Sequence, residues 1–234
     1  MVKTNTPRSV LFTVSFCGFV IAAVLLTAIL LRPSADGLPS GDSAAPGLAG
    51  RVDCGSGPCQ VLASEKVGDA SIDLLADSTG EHGKVRIVNG GASVVFETTI
   101  TTMGVRLTKN SLTCDGGANP ACLMSGSYDQ GVVGEVFVSR GGNWRSTEKP
   151  YFSDAGSIVL SDVIGDSTPE VVRVRHDCGD SGISTATCQV KPVYAEVFDL
   201  SGKQLGCTKK YTAPAQIRGW PEVRILPNEL RACP

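Results

Sequence analysis

From Cys54 onward the chain is a series of short runs in which apolar and polar residues alternate. They fall at residues 71–76, 84–88, 93–98, 134–138, 157–163, 170–175, 194–200 and 222–226. Each has the length of a strand, and Gly, Asp, Asn or Ser lies between most of them. No window in this region sustains a helical period, so the pattern predicts an all-β domain. The start of the chain is different. Residues 9–31, SVLFTVSFCGFVIAAVLLTAILL, form a 23-residue run without a charge or a proline. At about 1.5 Å per residue a helix of this length covers roughly 34 Å, enough for a hydrocarbon core of about 30 Å.

The apolar run predicts a single transmembrane helix. Lys3 and Arg8 precede it and Arg32 and Asp36 follow it, a bias that favours the N-terminus in the cytoplasm. A cleaved signal peptide has a shorter apolar core, about 7–15 residues, and Pro33 spoils a cleavage site at Ala35. Cys17 follows Phe16 in mid-run, which does not suit lipid modification. The expected organisation is a cytoplasmic stub (1–8), a signal-anchor helix (9–31), a flexible Pro/Gly/Ser linker (32–52) and an extracytoplasmic domain (53–234).

Within that domain two stretches align without gaps. Residues 64–75, SEKVGDASIDLL, match residues 161–172, SDVIGDSTPEVV. A second pattern, E-V-F-x-x-x-G, occurs at Glu135-Val136-Phe137 with Gly141 and at Glu196-Val197-Phe198 with Gly202. Lys84-Val85-Arg86 with Gly90 is a looser copy. The approximate units are 57–103, 104–153 and 154–212, with an extra strand at 221–226. A repeat of about 50 residues points to a propeller or another β array.

The run from Asp162 to Glu170, followed by Val171 and Val172, resembles the loop of FG-GAP/VCBS-type repeats, D-x-[ND]-G-D-G-x-x-D before an apolar strand. The hairpin at Val197-Phe198-Asp199-Leu200-Ser201-Gly202 is similar to the one that often follows. The resemblance covers about two of the three units. It implies propeller blades in a cell-surface protein and Ca²⁺ in the loops, held by Asp162, Asp166 and Glu170 and by Glu65, Asp69 and Asp73. Calcium takes six to eight oxygens. Ile164 and Val67 stand where the family supplies a further oxygen, and Ser167 and Ala70 replace its glycine. The bland alternative is that the acids accept backbone N–H groups. Three units fall short of the four to eight blades of a closed propeller. A fourth blade assembled from 103–114 and the C-terminus is one expectation, and a β-sandwich is the alternative.

Composition narrows the choice of function. The net charge of −2 argues against nucleic-acid binding, and 27 glycines with only 6% aromatics suit strands and turns. Cys17 lies in the predicted span, which leaves Cys54, Cys59, Cys114, Cys122, Cys178, Cys188, Cys207 and Cys233. An even number outside a membrane reads as a disulfide framework. Proximity suggests the pairs 54–59, 114–122, 178–188 and 207–233 among the 105 possible connectivities. Zinc is a weaker rival, since the chain has no C-x-x-C and only His82 and His176.

Candidate chemistry is sparse. No G-x-S-x-G, H-E-x-x-H or phosphate-binding loop occurs. His176 beside Asp177 and near Asp180, at a strand end, is the one acid–histidine cluster, and a surface or loop position is expected for it. Trp144 and Trp220 would make binding surface if exposed, but burial is expected. The leading expectation is a non-enzymatic binding module at the outer face of a cell membrane, plausibly a bacterial one. Its partner would be a protein or an envelope polymer. The alternatives are an extracytoplasmic hydrolase and a structural subunit of a membrane complex.

Overall fold

The computed structural model describes residues 52–147, 149–178 and 188–234. The predicted span at 9–31 lies outside the described residues, and none of the described helices is long and apolar enough to cross a membrane. The described residues are all-β, with one four-residue α-helix. A small hairpin, β1 (Asp53–Cys54) and β2 (Gly57–Pro58), comes first. Then come β3 (Gln60–Val67), β4 (Ala70–Ala76), β5 (Gly83–Asn89) and β6 (Ala92–Glu97), followed by α1 (Thr99–Thr102). The second group is β7 (Leu112–Asp115), β8 (Ala121–Tyr128), β9 (Gly131–Arg140) and β10 (Asn143–Ser146), with β11 (Tyr151–Ser153) also pairing β9. The third is β12 (Ile158–Ser161), β13 (Glu170–His176), β14 (Val193–Phe198) and β15 (Gln204–Cys207). Each group is an open antiparallel sheet built on a four-strand meander in sequence order, and in the second β11 adds a fifth strand on β9.

Three core clusters show how the sheets are covered. Ile72, Leu74, Val85 and Ile87 of the first sheet pack with Met124, Val133 and Phe137 of the second. Leu123, Val136 and Val138 of the second pack with Ile158 and Val171 of the third. Val172, Val174, Ala195 and Val197 pack under Ile217, Val223 and Ile225 of the C-terminal segment. The second and third sheets are therefore buried on both faces. That explains why Gly134 to Ser139 of β9 are all buried, whereas β5 alternates buried Val85 and Ile87 with half-buried Lys84 and Arg86.

The sequence repeats occupy matching places. Lys84-Val85-Arg86, Glu135-Val136-Phe137 and Glu196-Val197-Phe198 all lie on the third strand of a meander. The two G-D stretches join first and second strands, and Ser64 opposite Asp73 matches Ser161 opposite Glu170. Between those pairs the copies differ. In the first, the ladder runs up to a two-residue turn at Gly68 and Asp69, with Gly68 at φ +57°. In the second, residues 162–169 form an open loop.

Two expectations are corrected. Residues 222–226 are not a strand: Val223 and Ile225 are buried and Glu222 and Arg224 exposed, but no ladder partner is present. The segments expected to build a fourth blade do other work. Val105 and Leu107 join the first core cluster, Leu112–Asp115 is β7 of the second sheet, and the C-terminal segment covers the third.

The cysteines pair as proximity suggests: Cys54–Cys59, Cys114–Cys122, Cys178–Cys188 and Cys207–Cys233. Cys114 stands directly opposite Cys122 in the β7–β8 ladder. Cys233 ties the C-terminal segment to β15.

Candidate functional site

A cleft of about 610 Å³ opens between the β9–β10 hairpin of the second sheet and the β14–β15 turn of the third. Strand register builds one wall. Arg140 is opposite Asn143 and Val138 is opposite Arg145. Residues two apart on a strand share a face, so the two arginines project from the same side of the hairpin. Lys149 adds a third cation and Arg173 of β13 a fourth. No carboxylate belongs to a described residue lining the cleft. Arg140, Arg145 and Lys149 form no ion pair with a described residue.

The other wall is aromatic and fixed. Tyr151 and Phe198 meet with ring centroids 5.4 Å apart, and the Arg173 guanidinium lies 5.0 Å over the Phe198 ring. Arg173 Nε donates to Glu196 Oε2, directly across the β13–β14 ladder. Gln204 Nε2 donates to the other Glu196 oxygen at 3.2 Å. An arginine held by a carboxylate and stacked on a ring loses little freedom when it binds an anion. Burial, and next the Asp199 carboxylate, push the Tyr151 phenol above its ordinary value, so it stays protonated and able to donate at neutral pH.

The cleft suits anion binding better than bond cleavage. Two of its serines donate to carboxylates: Ser146 to Glu135 Oε1 at 2.7 Å and Ser201 to Asp199 Oδ1 at 2.6 Å. Glu135 is itself buried and accepts the Thr99 N–H at 2.8 Å, so it braces α1 against β10. No histidine or thiol lines the cleft among the described residues; an activated serine needs a base that takes its proton, and the Ser146 hydroxyl is directed to the Glu135 carboxylate that already braces α1.

The predicted calcium residues lie elsewhere. Asp162 accepts the N–H groups of Gly165 and Ser167, and Asp166 accepts that of Thr168. Glu170 is buried and accepts Val163 N–H at 2.7 Å and Ile164 N–H at 3.2 Å. Burial raises its carboxyl above the ordinary value, against the opposing pull of those two N–H groups. Calcium would have to compete with all of these donors. The loop also docks on the second sheet: Ala118 N–H donates to Ser167 C=O, and Asn119 Nδ2 donates to Thr168 Oγ1 at 3.0 Å. Ser167 sits at φ +63°, in the left-handed region where the resembled family has glycine.

In the first copy the acids diverge. Asp73 accepts from Ser64 and pairs with Arg86 at 2.7 Å, Asp69 occupies the turn, and Glu65 is exposed on β3. Among the described residues, neither acidic set brings three ligand atoms within 4.8 Å of one another.

Trp144 is buried in the first core cluster, and Trp220 is half-buried against the third sheet. His176 ends β13 but departs from the expected surface or loop position, being only 7% exposed. The cleft itself escaped sequence reading. Its one signal was Arg140, Arg145 and Lys149 within ten residues, which shows no convergence until the hairpin folds. No family profile, curated protein or solved structure matches the chain.

Proposed function

We propose that the protein is a non-enzymatic binding module, anchored by residues 9–31 and displayed on the extracytoplasmic side of a cell membrane. Its ligand is an anionic envelope polymer held in the cleft between the second and third sheets. The carrying observation is the cleft's composition: Arg140, Arg145, Lys149 and Arg173 around a Tyr151–Phe198 wall, with no carboxylate among its described lining residues. Its volume lies within the usual 300–1,000 Å³ of small-ligand sites, enough for one or two units of a chain that continues past it. The three meanders are read as propeller-like blades, a reading supported by the E-V-F motif recurring on their third strands. Four disulfides favour an oxidising compartment.

The test is calorimetry with full-length protein in detergent against polyglycerol phosphate, a polyuronate and a neutral glucan. Arg140→Glu/Arg145→Glu should weaken polyanion binding by at least about 100-fold, because each charge-assisted hydrogen bond contributes about 1.5–3 kcal/mol, and added salt should weaken it further. Equal binding by the variant, or preference for the neutral glucan, overturns the proposal.

A further inference from the structure

On the third sheet, away from the cleft residues, Asp154, Cys178 and Cys188 bring one ligand atom each within 4.8 Å of one another. They are the one such group among the described residues. A fourth donor adjoins Asp154, outside that group. His176 Nδ1 is buried without a hydrogen-bond partner and lies 3.5 Å from Asp154 Oδ1. The aspartate is held in place, since Oδ1 accepts the His176 backbone N–H at 2.9 Å. Cys188 Sγ lies 3.6 Å from Oδ2.

Two of these spacings are close to those of a known geometry. Tetrahedral zinc has Zn–N and Zn–O bonds of about 2.0–2.2 Å and Zn–S bonds of about 2.3 Å. The edges of such a tetrahedron are about 3.4 Å for N–O and about 3.6 Å for S–O. The imidazole–carboxylate and sulfur–carboxylate distances are near those values, one at Oδ1 and the other at Oδ2, and on opening the two sulfurs separate and the His176 ring, outside the 4.8 Å group, moves toward them. The other three disulfides gather no such ligands among the described residues.

We infer that the Cys178–Cys188 disulfide is the closed form of a four-ligand site that takes one zinc-class divalent cation when a dithiol reductant opens it. In the opening step one reductant thiolate attacks a cysteine sulfur and the second resolves the mixed disulfide. The reductant leaves as a cyclic disulfide and the protein keeps two thiols. On metal binding each thiol gives a proton to solvent. The cation is then held by two thiolates, the neutral imidazole of His176 and the carboxylate of Asp154. The sequence hid the site because its ligands come from a β11–β12 loop, a strand end and two cysteines ten positions apart.

The test uses full-length Cys17→Ala protein in detergent, treated with graded dithiothreitol and then Co²⁺. Thiol alkylation and peptide mass spectrometry report which pair has opened. The expected result is one Co²⁺ per chain with thiolate-to-cobalt absorption, displaced by equimolar Zn²⁺. Asp154→Asn and His176→Ala should each weaken Co²⁺ binding by about 10-fold or more, with unchanged circular dichroism of the oxidised chain. Absorption that persists in Cys178→Ser/Cys188→Ser overturns the inference. So does unchanged affinity in both Asp154→Asn and His176→Ala, or a 178–188 pair that stays closed while the others open.

Discussion

Removing the Glu196 side chain is the most informative single change near the cleft. Glu196 is 5% exposed and faces Arg173 across the β13–β14 ladder. One oxygen takes Arg173 Nε, and the other takes Gln204 Nε2 and lies 3.9 Å from Arg175 Nη1. Glu196→Ala leaves two guanidinium groups without their carboxylate. Breaking a buried pair from one side costs about 3–5 kcal/mol. Arg173 keeps a route to water through the cleft, with 22% of its side chain exposed, so the expected loss is at the low end, about 3 kcal/mol. With a urea m-value of about 1–3 kcal/mol/M, the unfolding midpoint should fall by at least about 1 M. The assay is equilibrium unfolding of oxidised full-length protein, with Arg173→Ala and the double variant completing a cycle. The coupling should be about 1.5–3 kcal/mol, within the range for contacting residues. A single-variant loss under about 1 kcal/mol, or additivity within about 0.5 kcal/mol, would refute the claim that Glu196 positions Arg173.

Two other outcomes follow from the second G-D loop. The raised carboxyl of Glu170 means the folded state favours its protonated form, so its contribution is fully present at low pH and is lost as pH rises through the folded-state value. Glu170→Gln keeps an acceptor for the Val163 and Ile164 N–H groups and should gain stability relative to wild type between acid and neutral pH in urea titrations; a pH-independent difference would contradict this. Ser167 holds φ +63°, which costs a non-glycine residue about 1–2 kcal/mol. Ser167→Gly should therefore raise stability by about 0.5–1 kcal/mol after glycine's greater unfolded-state entropy is counted, and a lower melting temperature would argue against strain there.

How far the fold could be read depended on what covers each strand. β5 shows one face to solvent, so Lys84-Val85-Arg86-Ile87 alternates visibly. β3 is largely exposed and polar, and β8 mixes buried Ala121, Cys122, Leu123 and Met124 with Ser and Gly, so neither carries a clean period of two. Residues 222–226 alternate without being a strand, because a segment lying across a sheet buries every second side chain just as a strand does. The cysteine pairs were legible because each lies near its mate in sequence. His176 was not, because its burial comes from packing at a strand end. The cleft was hidden in the same way, since Arg173 and Phe198 are brought to the hairpin only by the stacking of two sheets.

The sequence-ordered meanders have a consequence for biosynthesis. Apart from β11, which returns to β9, every strand of the three sheets pairs a neighbour in chain order, so a strand emerging N-terminus first meets its partner within the next hairpin. Such local pairing keeps loop-closure costs low and favours fast folding for a β protein. The cysteines follow the same rule, with separations of 5, 8, 10 and 26 residues. Each thiol pair is complete before the next begins to appear, so an oxidant acting on the growing chain meets one correct pair at a time. The order of synthesis thus selects a single connectivity with little need for isomerase.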